Sequence, residues 1–224
     1  MTDLNLIKKN ADRLLKEIPP NVTLLAAAKT RSLEEVRAAC DAGIYAFGHN
    51  YVQEAHPMIV SADFKADWHM IGHLQRNKAG MAVEIFDVVE SLDSMRLANE
   101  LEKRCGDIGK VMDVLIEVNS GAEDNKTGIL PQEVLPLAQL VDTLPYLRLT
   151  GLMTMGPLSG DAELSRPYFK NTCALFDQLK GMHLSNSAIS VLSMGMSGSY
   201  KVAIEEGATM VRIGTLLFGP RLEL

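Results

Sequence analysis

Eight short apolar runs, separated by longer stretches of helical periodicity, constrain this chain more than any other feature. They span residues 22–28, 44–47, 68–71, 87–90, 111–118, 147–153, 188–192 and 210–213. Each is long enough for a buried strand and too short for an ordinary helix. Helix signals fall between them. Ser32 followed by Glu35 forms a capping box for a helix ending near Gly43. Asp93 is placed to cap a helix over 94–105, and Pro131 opens another as a first-turn proline. Two later helices are predicted over 164–179 and 200–206, and residues 1–18 read as an amphipathic N-terminal helix. Strand–helix alternation without a long linker or repeat predicts the α/β class. The expected architecture is one (β/α)8 TIM barrel over residues 1–224, with helix 1–18 packed on it. The unit after Gly72 is the least regular, and a doubly wound open sheet is the structural alternative.

Composition narrows the functional classes. A chain of 224 residues suits one barrel, and 47% hydrophobic residues supply a sizeable core. The formal net charge of −6 argues against a general nucleic-acid binder. Charged residues throughout 1–18 exclude a secretory signal, and no run of 18 apolar residues suggests a membrane span. Cys40, Cys105 and Cys173 are odd in number and widely spaced, as expected of buried thiols in a reduced, cytoplasmic protein. His69 and His73 have the spacing of a helical metal pair, but they flank a strand end, so no metal is expected. Met153, Met155, Met194, Met196 and Met210 read as core filling, and Trp68 as a packing anchor.

A barrel carries its chemistry on the loops that follow its strands, and polar residues gather there. Lys29 follows the first strand, where partial desolvation favours attack by its amine on an aldehyde; a lysine snorkelling from the barrel end is the bland alternative. Ser197, Gly198, Gly214 and Thr215 follow strands seven and eight, where barrels commonly hold phosphate; turn glycines are the alternative. Arg212, inside the barrel or at its rim, would serve a pyridine nitrogen or pair with a carboxylate such as Glu117.

Taken together, Lys29, FGHNYVQE, WHMIGHLQRNK, SMGMS and VRIGT resemble the pyridoxal phosphate homeostasis proteins, single-domain relatives of the N-terminal barrel of alanine racemase. The resemblance runs from about residue 24 to residue 221. It implies pyridoxal 5′-phosphate as cofactor and a Schiff base on Lys29. It also implies Asn50 beside the cofactor, Ser197, Gly214 and Thr215 on its phosphate, and Arg212 near its ring nitrogen. Lys126 matches a rim lysine of the family's NKTG-like segment. Two residues depart from the family pattern: His49 stands where glutamate is usual, so that a carboxylate near the site is missing, and Ser199 stands where aspartate is usual.

The barrel's racemase relatives draw a second catalytic base from an additional domain, which this chain is expected to lack. The resemblance therefore implies a monomeric carrier in pyridoxal phosphate (vitamin B6) homeostasis, binding neither nucleic acid nor membrane, with apo-enzymes as recipients of the cofactor. One alternative is a racemase of low activity with Tyr51 or His73 as base. The other is a Schiff-base aldolase that does not use the cofactor.

Overall fold

The computed structural model describes residues 3–123, 126–157 and 160–220. Eight parallel strands close into a barrel in chain order: β1 Thr23–Ala27, β2 Ala46–His49, β3 Asp67–Met70, β4 Val88–Leu92, β5 Met112–Val118, β6 Leu147–Thr154, β7 Ser187–Met196 and β8 Met210–Ile213. Closure rules out the open-sheet alternative, because β1 pairs with β8 at Leu25↔Arg212 and Ala26↔Ile213. The helices are α1 Leu4–Glu17, α2 Leu33–Asp41, α3 Val52–Ser61, α4 Ala79–Ile85, α5 Met95–Ile108, α6 Val134–Asp142, α7 Arg166–Lys180, α8 Tyr200–Glu205 and α9 Thr215–Phe218.

Alternation along the strands sorts side chains into two layers. Leu24, Ala26, Val114, Ile116, Leu149 and Val211 join the large apolar core shared with the helices. Leu25, Ala46, Ile71 and Met210 form a small separate cluster within the barrel. Polar residues share the interior with it, among them Glu90, Ser193 and Arg212. Trp68 is the expected packing anchor, buried among the rings of Phe47, His49 and Phe64. Met153, Met194 and Met210 are buried, while Met155 and Met196 are partly so. Cys40 and Cys105 are buried and Cys173 partly so, and burial raises all three thiol pKa values, Cys105 to about 11.

The local signals act as chemistry requires. Ser32 accepts from the Glu35 amide while the Glu35 carboxylate accepts from the Ser32 amide, completing the capping box. The unit after Gly72 begins as a single 3-10 turn, Arg76–Lys78, and continues as α4. One cap differs from expectation. Ser94, not Asp93, has the extended backbone of an N-cap, and its hydroxyl accepts from the Leu97 amide. Asp93 faces His73 instead, at 3.0 Å. Helix α1 buries Ile7, Ala11 and Leu14 along one face, against α2 and α9. Its last turn is tied to α8 through Glu17, which accepts from Tyr200 at 2.8 Å and pairs with Lys201 at 2.6 Å.

Strands β6 and β7 approach so closely at Gly151 that a Cβ there would lie 1.7 Å from the Val191 carbonyl oxygen. Backbone cannot yield as a flexible side chain can. Gly151→Ala is expected to cost about 3 kcal/mol and to lower the melting temperature by roughly 6–12 °C. Thermal unfolding followed by circular dichroism checks this, and an unchanged midpoint would contradict it.

Candidate functional site

The barrel register gathers the expected site residues at one rim. Ala27 pairs with Gly48, so two residues further along each chain Lys29 and Asn50 emerge side by side, in phase with the inward positions Leu25, Ala27, Ala46 and Gly48. On the other flank of β1, the direction a Gly214 side chain would take leads to Ala27, with 3.6 Å between Cβ atoms. Strand β7 pairs with β8 at Met196↔Arg212. The four adjacent strands β7, β8, β1 and β2 thus carry Ser197, then Arg212, Gly214 and Thr215, then Lys29, then Asn50.

Local contacts hold this rim in shape. The Ser197 hydroxyl accepts from the amides of Gly214 at 3.2 Å and Leu216 at 3.4 Å, joining the loops after β7 and β8. Thr215 is exposed at the start of α9. Ser199 accepts from the Met196 amide at 3.2 Å and so pins the turn after β7. Arg31 donates to the Gly219 carbonyl at 2.7 Å, binding the loop after β1 to the end of α9. Thr30 adopts a left-handed backbone (φ +62°), a conformation unfavourable for a β-branched residue, and its amide donates to the Glu54 carboxylate. The chain leaving Lys29 is therefore forced into a sharp turn and held there.

Arg212 projects into the barrel and is 4% exposed. It donates to the Ser193 hydroxyl at 2.7 Å and to the Thr154 carbonyl at 2.8 Å. Burial pulls its pKa down, opposed by the charges of Glu90 and Glu117. The expected alternative of a direct pair with Glu117 is replaced by these neutral partners, with both carboxylates acting from further away. Glu117 accepts from Thr127 at 2.5 Å, and burial raises its pKa. Sequence reasoning missed Glu90, Ser193 and His69 as members of the interior. The available signal was a glutamate within the apolar stretch DVVESL, with no local cue to the face it takes.

Other expected residues lie elsewhere. His73, paired with Asp93, lines a cavity of about 390 Å³ with Asn50, Tyr51 and Lys78, beside the rim. Lys126 pairs with Glu123 at 2.5 Å and lies over the Tyr168 ring. Asn125 of the NKTG segment and Arg221, the end of the family-like stretch, lie outside the described residues. His69 belongs to the interior, 2.7 Å from Glu90.

His49 requires a correction. Since Gly48 faces the barrel interior, His49 faces the helical layer, next to Trp68, and its departure from the family pattern does not remove a carboxylate from the rim. The ring is fully buried, and neither nitrogen has a hydrogen-bond partner among the described residues.

Known proteins share this fold. The family model described as alanine racemase, N-terminal domain, matches residues 2–221. A pyridoxal phosphate homeostasis protein of Pasteurella multocida is 41% identical over 89% of this chain and 87% of that protein. One from Aquifex aeolicus is 43% identical over 88% and 86%. The structure of PipY from Synechococcus elongatus without PLP superposes with a TM-score of 0.89 at 33% identity, covering 95% of this chain and all of that one. PipY with PLP bound gives 0.86 at 31% identity, with the same coverage. Alanine racemase of Clostridium difficile, 14% identical with a TM-score of 0.83 over 99% of this chain and 58% of that one, shares the fold.

Desolvation lowers the His49 pKa from the usual 6.5 to about 4. Between those values the unfolded chain takes up a proton that the folded protein refuses. The contribution of neutral His49 is therefore complete above pH 6.5 and lost as pH falls toward 4. His49→Leu removes this term. Urea unfolding is expected to show the variant gaining about 3 kcal/mol relative to wild type between pH 7.5 and 4; a constant difference would contradict the neutral, buried ring.

Proposed function

This chain belongs to the alanine racemase N-terminal domain family, and on that premise we propose that it binds pyridoxal 5′-phosphate and serves in pyridoxal phosphate homeostasis. The observation that carries the reading is the placement of Lys29 and the Ser197–Gly214 junction on adjacent strands at one rim, with Arg212 in the interior just beneath them. That PipY has a structure with PLP bound supports it.

The residues present suit such a ligand. Gly214 and Ser197 form a cradle of small groups, whose Gly214 and Leu216 amides already face an oxygen acceptor in the Ser197 hydroxyl. A phosphate would receive the same kind of donor. Only two of the five N–H donors of Arg212 are engaged by Ser193 and Thr154, which leaves others for an aromatic ring nitrogen. Lys29 supplies the amine and Asn50 flanks it. When bound, the cofactor offers an aldehyde that an amine can capture reversibly. In this reading Lys29 holds it, Ser197, Gly214 and Thr215 fix its phosphate, and Arg212 fixes its ring.

The proposed role is that of a carrier: a single barrel domain over residues 1–224, monomeric and cytoplasmic, passing the cofactor to apo-enzymes. Among the described residues no helix is long and apolar enough to cross a membrane, which suits this role. A second reading, low-level amino-acid racemisation, draws on the cavity that Asn50 shares with Tyr51 and His73. An aldolase without cofactor would leave the Ser197–Gly214 cradle without a purpose.

Purified protein titrated with pyridoxal 5′-phosphate is expected to develop a visible absorbance band that Lys29→Ala lacks. Ser197→Ala should retain the band and bind the cofactor roughly tenfold more weakly. No band in the wild type would refute the reading, and rapid racemisation of amino acids by the loaded protein would replace the carrier with an enzyme.

A further inference from the structure

One hydrogen-bonded chain crosses the barrel interior beneath the rim. Glu90 on β4 is completely buried; its carboxylate lies 2.7 Å from His69 Nδ1 on β3 and 2.6 Å from the Ser193 hydroxyl on β7. Ser193 in turn lies 2.7 Å from Arg212 on β8. Strands β4 and β8 are four apart in a closed ring of eight, so the chain links opposite walls.

We infer that Glu90, acting through Ser193, is the counterion that positions Arg212 for the ligand at the rim; this rests on the cofactor reading above. The direction of each hydrogen bond follows from the proton inventory. An ionised carboxylate only accepts, so the single Ser193 proton goes to Glu90, and the Ser193 lone pair is left for Arg212. The serine cannot turn its proton elsewhere without breaking the link to Glu90. His69 likewise must present a proton on Nδ1.

The charge balance points the same way. Burial raises the Glu90 pKa, but His69, Arg212 and Ser193 together outweigh it and hold the group below its ordinary value. Arg212, buried against the same interior, needs an anion that does not occupy its remaining donors. A direct carboxylate pair would engage two guanidinium N–H groups at once. A hydroxyl relay engages one, supplies the negative charge from behind, and leaves the side facing the ligand available. Glu90 and Ser193 are thus positioning residues, and Arg212 is the group they position.

The test compares Ser193→Ala, Ser193→Thr and Glu90→Gln with wild type in two states. Without ligand, the guanidinium N–H groups of Arg212, observed in protein labelled with 15N-arginine, should exchange slowly in wild type and Ser193→Thr and quickly in Ser193→Ala. With pyridoxal 5′-phosphate, Ser193→Ala and Glu90→Gln should bind roughly tenfold or more weakly and show a displaced visible absorbance maximum. Ser193→Thr, which keeps the hydroxyl, should remain within about twofold of wild type in affinity. Wild-type affinity and an unchanged maximum in Ser193→Ala and Glu90→Gln would overturn the inference. A wild-type protein that takes up no cofactor would instead overturn the cofactor reading. The ligand-free exchange rates then decide the relay alone, and slow exchange persisting in Ser193→Ala would overturn it.

Discussion

The parallel register that closes β1 onto β8 is the constraint on which the rest of this structure depends. Without the pairing of Leu25 with Arg212, the end of β8 and the start of the loop after β1 would lie at opposite edges of a sheet. With it, residues nearly two hundred positions apart share one rim. The period of two then decides what that rim contains. Leu25 and Ala27 face inward, and Lys29 follows in phase; Met210 and Arg212 face inward, and Gly214 follows. A slip of one residue in either strand would turn Lys29 or Arg212 into the apolar layer under the helices.

The same closure creates an electrostatic problem and contains its solution. A guanidinium inside a barrel is costly unless hydrogen-bonded and balanced by charge. The inward positions of β4 and β7 supply Glu90 and Ser193, and the Thr154 carbonyl on β6 takes a second donor. The barrel interior is accordingly divided. Leu25, Ala46, Ile71 and Met210 form an apolar cluster, while Arg212, Ser193, Glu90 and His69 form a polar link across the ring. Packing alone would not call for that link, since apolar residues of similar size would avoid its desolvation. His49 shows the opposite case, a buried polar ring on the outer face kept neutral by desolvation, with no hydrogen-bond partner among the described residues.

Much of this was legible in the sequence, for identifiable reasons. Eight apolar runs located eight strands, with ends displaced by a few residues because β7 continues through polar Ser193 to Met196. The Ser32–Glu35 box is a local signal, and it reads the same in isolation as in the fold. The position of Lys29, Ser197 and Gly214 just after strands was legible because the apolar runs fix where strands end. The interior relay was not, since nothing local distinguishes Glu90 as an inward residue from Glu90 as the polar end of a strand. Its meaning requires β4 and β8 to face each other, which only closure establishes. The cap at Ser94 was misplaced by one residue for a similar reason: Asp93 is a good capping residue, but His73 from the neighbouring strand's loop takes it. The resemblance implied that a carboxylate is missing near the site at His49, whereas alternation turns position 49 away from the face that Gly48 and Asn50 share.

The Lys29 amine, at the junction of β1, β8 and β2, is the proposed point of attachment of pyridoxal 5′-phosphate. Borohydride reduction of the protein after incubation with the cofactor, followed by proteolysis and peptide mass mapping, tests it most directly. The added mass of the reduced cofactor is expected on the peptide containing Lys29, at close to one label per chain. A label confined to another lysine, or no label at all, would contradict it.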